Sequence, residues 1–174
     1  NIGACARAMK NFNFSKLIVI NPKPTFPNDK IVATSVGAKE IIKKSKVYRT
    51  LEPAMKNIDF LISTTSRFRN KNIKHIKLNE LNKIDFNKKV AFLFGPEASG
   101  LANNEISFSN CVLQIPSNNK FKSLNLSHSL AIVAQTIFQL LNMKKSKYSK
   151  SKKIKPASKK NIQAMTNLCI KHLE

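Results

Sequence analysis

Three loop-like runs carry the residues whose types and spacing could do chemistry. The first is Phe94-Gly95-Pro96-Glu97-Ala98-Ser99-Gly100-Leu101, which holds two of the four glycines in the 174-residue chain. The second runs from Ile115-Pro116 through Lys122-Ser123-Leu124-Asn125-Leu126, and the third is Thr64-Thr65-Ser66-Arg67-Phe68-Arg69. Each follows a short apolar segment (Val90–Phe94, Cys111–Ile115, Asp59–Ser63) that stops abruptly at turn-forming residues. Hydroxyls and backbone amides just past a strand suit a polar ligand, and an open α/β sheet places its ligand where strand ends adjoin. The expectation is a cofactor site walled by three strand-end loops. Taken alone, Thr64–Arg69 reads more plainly as an ordinary capped loop.

Other chemistries find little support. No G-x-G-x-x-G follows a strand and no G-x-x-x-x-G-K-[ST] is present, so dinucleotide and P-loop phosphate sites are excluded. His75, His128 and His172 are isolated from one another and from any acid cluster, and His128, between two serines near a helix start, reads as a surface or packing residue. A Ser–His–Asp reading lacks a nucleophile elbow. Cys5, Cys111 and Cys169 are far apart and form no C-x-x-C, which argues against zinc and suits a reducing cytoplasm. No metal is expected.

The elements that must position these loops alternate between helix and strand. Asn1–Phe14 has Ile2, Cys5, Met9 and Phe12 at helical spacing, with Asn1 as a candidate cap and Arg7 on another face. Lys16–Ile20 reads as a strand. Ile31–Ser45 reads as a helix that Gly37 either breaks or packs closely. Val47-Tyr48 and Asp59–Ser63 are strands, Leu51–Lys56 is a brief helix with Pro53 in its first turn, and Asn70–Lys89 is a surface connection with one short helix at Leu78–Ile84. Val90–Phe94 is expected to be a central strand, Asn104–Phe108 a short helix, and Cys111–Ile115 another buried strand. Asn125–Met143 carries the strongest helical stripe: Leu126, Leu130, Val133, Ile137 and Leu141, widened by Ile132 and Phe138. So broad a stripe calls for cover from the sheet and from a second subunit. The fold expected is α/β, a mostly parallel sheet with flanking helices over residues 1–143. A Lys-rich linker, 144–157, and the start of a C-terminal helical extension, 158–174, follow. The opening without Met and the end in mid-pattern suggest truncation at both termini.

Net charge is +22, from 31 basic and 9 acidic residues. An A+T-rich genome would favour lysine but does not explain the scarcity of acids, and a field this positive favours a polyanion, nucleic acid ahead of an acidic membrane surface. No apolar run approaches the roughly 18 residues of a membrane span. Only Arg7, Arg49, Arg67 and Arg69 are arginines; where lysine is the default, a retained guanidinium suggests two-point grip on phosphate or carboxylate. Residues 144–160 hold nine lysines and no acid.

At three places the residues match a family. Asn1-Ile2-Gly3-Ala4-Cys5-Ala6-Arg7-Ala8-Met9-Lys10 resembles the first motif of the SpoU/TrmH group of SPOUT-class RNA 2′-O-methyltransferases. Phe94–Leu101 resembles its second motif, and Ile115-Pro116 with Ser123-Leu124-Asn125-Leu126 its third. Together they span nearly all of the first 142 residues in the right order. The Ala-Arg-Ala-Met-Lys opening, Ile18-Val19-Ile20-Asn21-Pro22 and Thr64–Arg69 are most similar to the TrmJ type, which methylates nucleotide 32 of the tRNA anticodon loop. The resemblance implies S-adenosylmethionine as methyl donor, a C-terminal trefoil knot, and a homodimer with active sites at the interface. Carried over by position, it implies a cofactor site of Thr64, Thr65, Ser66, Gly95, Gly100, Ile115, Lys122, Ser123 and Leu124. It implies an active-site polar set of Arg7, Glu97, Ser123 and Asn125. With the basic surface, it suggests RNA contacts by Arg7, Arg67, Arg69, Lys144 and Lys145. Two departures stand out: the strand that precedes the first motif in the family is missing, and Lys122 replaces a small or neutral residue, so only its backbone role transfers.

Guanidinium stays protonated above about pH 12, so Arg7 is no general base. The expectation is that it orients the phosphate beside the target hydroxyl and stabilises the developing alkoxide. Glu97 is expected to fix loop geometry through backbone amides, and Asn125 to serve also as a helix cap. Competing substrates are ribosomal RNA and the tRNA wobble nucleotide; a competing class is a basic RNA-binding module with a vestigial pocket.

Overall fold

Helix α1 (Ile2–Asn11) buries Gly3, Cys5, Ala6 and Met9 and leaves Arg7 exposed, as its apolar spacing requires. It is the hub of the helical layer, packing against α2 (Asp29–Thr34), α3 (Lys39–Lys43) and α6 (Leu126–Met143). The computed structural model describes residues 1–22, 26–66, 73–143 and 158–171. It divides into two compact units, Asn1–Met143 and Lys144–Glu174.

The expected helix over Ile31–Ser45 is two helices. Gly37 lies between α2 and α3 with φ +74°, a left-handed conformation that breaks the helical path and that only glycine adopts freely. Asn28 caps α2, its Oδ1 accepting the Ile31 N–H at 3.0 Å. Across the break, Lys10 of α1 donates to the Gly37 carbonyl at 2.5 Å and pairs with Glu40 at 2.6 Å.

Two parallel sheets form. Strand β1 (Ile18–Ile20) pairs with β2 (Lys46–Tyr48). The main sheet joins β3 (Phe60–Thr64), β4 (His75–Lys77), β5 (Val90–Leu93) and β6 (Cys111–Gln114) in the order β4-β6-β3-β5, all parallel. Strand β3 is buried on both faces, as a parallel sheet covered by helices demands. Its one buried hydroxyl, Ser63, is satisfied by Ser109 Oγ at 2.5 Å. Below the sheet, Ile62, Ile76, Leu81, Cys111 and Leu113 form one core with Val133 and Ile137 of α6.

Two expectations need correction. Val90–Leu93 is an edge strand rather than a central one, bonded only to β3 among the described residues, and all four of its residues are half-buried. The supposed surface connection between residues 70 and 89 contains β4, where Ile76 alone is buried, followed by a 3-10 turn at Leu78–Lys83. The remaining helices are short: α4 (Leu51–Met55), with Pro53 in its first turn, and α5 (Asn103–Ser107).

Helix α6 rests on both layers, reaching the sheet core through Val133 and Ile137 and α1 through the tilted Phe12–Phe138 ring pair at 6.0 Å. Phe138, in spite of that contact, remains partly open to solvent, as do Leu141 and Met143. In the second unit, α7 (Lys159–Lys171) is preceded by Ser158, whose Oγ accepts the Asn161 N–H at 3.2 Å. Residues 144–157 lie outside the described ones. No described helix is long and apolar enough to cross a membrane.

Candidate active site

Strands β5, β3 and β6 lie side by side and run the same way, so the loops leaving their carboxyl ends meet. Between them is an open cleft of about 150 Å³. Thr64, Thr65 and Ser66 form one wall, the loop Phe94–Leu101 a second, and Ile115 with Lys122, Ser123 and Leu124 a third; Leu126 and Ser129 of α6 complete the lining.

Local sequence explains how each wall is held. Thr64 Oγ1 donates to the Leu93 carbonyl at 3.1 Å, and the Thr65 N–H donates to the Leu113 carbonyl at 3.3 Å. The end of β3 is thereby tied to the strands on both sides. Pro96 to Gly100 is a tight turn closed by a 2.7 Å bond from Gly100 N–H to the Pro96 carbonyl. That turn folds back so closely that a Cβ at Gly95 would overlap the backbone of Gly100 and Leu101. Only glycine lets the loop close there.

Glu97 ties the two ends of the domain together. One carboxylate oxygen accepts the N–H of Leu126, the first residue of α6, at 3.0 Å; the other accepts the side-chain amide of Asn1. A carboxylate there satisfies an orphan amide and complements the positive end of α6. The next amide is handled locally: Asn125 Oδ1 accepts the Ser127 N–H at 2.9 Å and the Ser127 hydroxyl at 2.7 Å, making it a helix cap. Asn1 does not cap α1 with its side chain, which is turned to Glu97 instead. Beneath Asn1, burial pushes the Cys5 thiol up to about 11, with the amino terminus opposing and Glu97 adding to the rise. That thiol is neutral and inert at physiological pH.

The cleft therefore gathers Thr64, Thr65, Ser66, Gly95, Glu97, Gly100, Ile115, Lys122, Ser123 and Leu124. Arg7 and Asn125 are not among its lining residues. Arg7 is exposed on α1, six residues beyond Asn1 and so roughly 9 Å further along the helix axis. It makes no hydrogen bond or ion pair among the described residues. Arg67, Arg69, Lys144 and Lys145 lie outside the described residues. Ser129 escaped sequence reasoning. It sits one turn after Asn125, its N–H bonded to the Asn125 carbonyl at 2.9 Å, and nothing in the neighbouring sequence marks it as a cleft residue.

The lining combines hydroxyl residues, Thr64, Thr65, Ser66, Ser99, Ser123 and Ser129, with apolar ones, Phe94, Leu101, Ile115, Leu124 and Leu126. Such a mixture accommodates a ligand with a flat apolar part and several hydrogen-bonding groups. With one carboxylate and one ammonium in the lining, it is not a polyphosphate cradle. Among the described residues no three His, Cys, Asp or Glu side chains are grouped to hold a metal.

Comparison with known proteins agrees with this architecture. Residues 1–135 match the model of the SpoU rRNA Methylase family. The chain is 36% identical over 145 residues to the tRNA (cytidine-2′-O-)-methyltransferase TrmJ of Sulfolobus acidocaldarius, covering 80% of this chain and 60% of that protein. It is 31% identical to the tRNA (cytidine/uridine/adenosine-2′-O-)-methyltransferase TrmJ of Pseudomonas aeruginosa, across 100% of this chain and 71% of that protein. Among solved structures, the SpoU methyltransferase AviRb of Streptomyces viridochromogenes, in complex with AdoMet, superposes with a TM-score of 0.64 at 17% identity. The superposition covers 82% of this chain and 56% of that one. The fold is thus shared, and the chain spans about 60% of the length of the archaeal TrmJ relative.

Proposed function

The chain belongs to the SpoU rRNA methylase family, and from that premise we propose that it methylates ribose 2′-hydroxyls of tRNA with S-adenosylmethionine as donor. The observation that carries this reading is the open cleft at the carboxyl ends of β5, β3 and β6, one wall of which turns so sharply that no side chain fits at Gly95. Its hydroxyl rim and apolar lining fit the donor's adenosine and amino-acid parts. Thr64–Ser66, Phe94–Leu101 and Ile115 with Lys122–Leu124 would hold it. When bound, the donor supplies an electrophilic methyl group on a sulfonium.

The chain's own residues then have positional tasks. The reaction needs the ribose oxygen in line with the methyl carbon, so orientation and charge stabilisation supply most of the rate. Glu97 holds the second and third walls in register through α6. Arg7, permanently charged, orients the phosphate beside the target ribose and stabilises negative charge on the 2′-oxygen. Ser123 and Asn125 place hydrogen-bonding groups at the cleft mouth.

Arg7 stands outside its own chain's cleft lining, which is what a shared active site requires. We therefore read the protein as a homodimer in which Arg7 serves the partner's cleft. The exposed Phe138, Leu141 and Met143 of α6 offer apolar surface for that association. The trefoil knot belongs to the same reading; it is supported by β6 inserting between the earlier strands β3 and β4 and by the Glu97–Leu126 bond that draws the later loop onto the earlier one. Within tRNA, the resemblance to the TrmJ type favours nucleotide 32, with cytidine or uridine as the base. The cytoplasm, where tRNA matures, is the expected site of action.

The test is transfer of labelled methyl from S-adenosylmethionine to total tRNA, followed by digestion to nucleosides. The reading predicts label in 2′-O-methylnucleosides mapping to the anticodon loop. Label on a base would refute it, and RNA binding without transfer would return the chain to a basic RNA-binding module.

A further inference from the structure

Phe121 is 77% exposed, more than any other large apolar side chain among the described residues. It stands between Lys120 and Lys122, both exposed, in a loop, residues 117–125, that contains no acid. The loop is not slack. The Phe121 N–H donates to the Asn118 carbonyl at 3.0 Å and the Lys120 N–H to Asn118 Oδ1 at 2.9 Å, while Ser117 Oγ donates to the Lys122 carbonyl at 3.2 Å. An aromatic ring is therefore held out in water by a turn whose geometry is fixed on both sides. The next residue, Lys122, lines the cleft.

We propose that Phe121 is a stacking platform for an unpaired base of the substrate RNA, with Lys120 and Lys122 gripping the flanking phosphates. The inference rests on the RNA-methylation reading and deepens it, by assigning a residue that positions the substrate rather than the donor. A ring face stacks on any base, and proteins that recognise RNA loops splay bases onto such rings. Lysines on either side supply mobile point charges suited to phosphate, without demanding one geometry. A second copy of the chain is the other conceivable cover for the ring. Facing loops would then bring four lysines together, Lys120 and Lys122 of each copy, with no acid in either loop to offset them, so Coulomb repulsion works against a contact at this loop. Stacking beside the cleft mouth would select single-stranded loops over helical stems, because a paired base cannot be unstacked onto the ring without losing its partner.

The experiment compares the full chain with Phe121→Ala and Phe121→Trp. Four quantities are read: calorimetric affinity for S-adenosylmethionine, sedimentation, the KM for RNA, and the fluorescence of an anticodon stem-loop carrying 2-aminopurine in its loop. Expected for Phe121→Ala are unchanged donor affinity and oligomeric state, loss of the 2-aminopurine quench, and an RNA KM raised roughly tenfold or more. Phe121→Trp restores both RNA readouts. An unchanged RNA KM and quench in Phe121→Ala would overturn the proposal. So would a lost donor affinity, which makes the ring a cleft wall, or a weakened self-association, which makes it a protein contact. The fluorescence arm separates the two readings. If the wild-type chain transfers no methyl yet quenches the probe through Phe121, the platform stands and the methylation reading falls.

Discussion

Replacing Glu97 by Ala separates a positioning role from a chemical one. The carboxylate makes two bonds, to Leu126 N–H at 3.0 Å and to the Asn1 side chain, joining the start of α6 to the start of α1. A charge-assisted bond contributes about 1.5–3 kcal/mol when shielded from water. Glu97 is exposed, so the lower end is discounted and the helix-terminus contribution of 0.3–1 kcal/mol is the better guide, giving about 1 kcal/mol in all. For a chain of this length that lowers Tm by about 2–4 °C. If binding the donor must restore the lost register of the second and third walls at the same cost, its Kd rises about fivefold. A thermal melt and a calorimetric titration with S-adenosylmethionine check both figures. Glu97→Gln, which keeps an acceptor for Leu126 but loses the charge, should fall between. Unchanged Tm and Kd with a collapse of kcat would refute this reasoning and put Glu97 on the reacting atoms.

Other perturbations address other parts of the molecule. Arg7→Lys keeps a positive charge but not the planar fork, so donor affinity should hold while most of the rate is lost; full activity would remove Arg7 from the mechanism. The Glu40 carboxyl is held below its ordinary value of 4.5, first by its hydrogen bond with Lys10, then by a backbone hydrogen bond and the charges of Lys10 and Lys44, with desolvation opposing. A depressed carboxyl stabilises the fold above that value and stops doing so as pH falls through its lower folded value. The Tm advantage of wild type over Glu40→Gln should thus be present above the ordinary value of 4.5 and shrink as pH falls below it; a gap undiminished in acid would contradict the linkage. Deleting residues 146–160 removes a run of lysines and should flatten the salt dependence of RNA binding; an unchanged slope would make the segment a tether only.

Much of the domain is legible in local sequence, for identifiable reasons. Helix α6 declares itself by apolar spacing, β3 and β6 by short apolar runs, and the cleft walls by the turn residues that end those runs. Asn125 as a cap follows from residue type and place alone. What escapes is set by tertiary context. Strand β4 has one buried residue, Ile76, between His75 and Lys77, and so shows no apolar run. The edge position of β5 depends on strand order, since an edge strand covered by helices can be as apolar as a central one. The turn of Asn1 from local cap to partner of Glu97, 96 residues away, has no local signature at all. Ser129 enters the cleft because α6 starts where Glu97 and Asn125 fix it, a consequence of the fold rather than of its neighbours in sequence.

Everything proposed for the chain depends on the three strand-end loops binding the methyl donor. Calorimetric titration of S-adenosylmethionine into the wild-type chain and into Gly95→Ala, each checked by melting for a folded state, tests it most directly. Saturable binding, one donor per chain, is expected in the wild type. Gly95→Ala should lose that binding, because the new Cβ would drive the second wall out of place. No binding by the folded wild type, or equal binding by a folded Gly95→Ala, would contradict it.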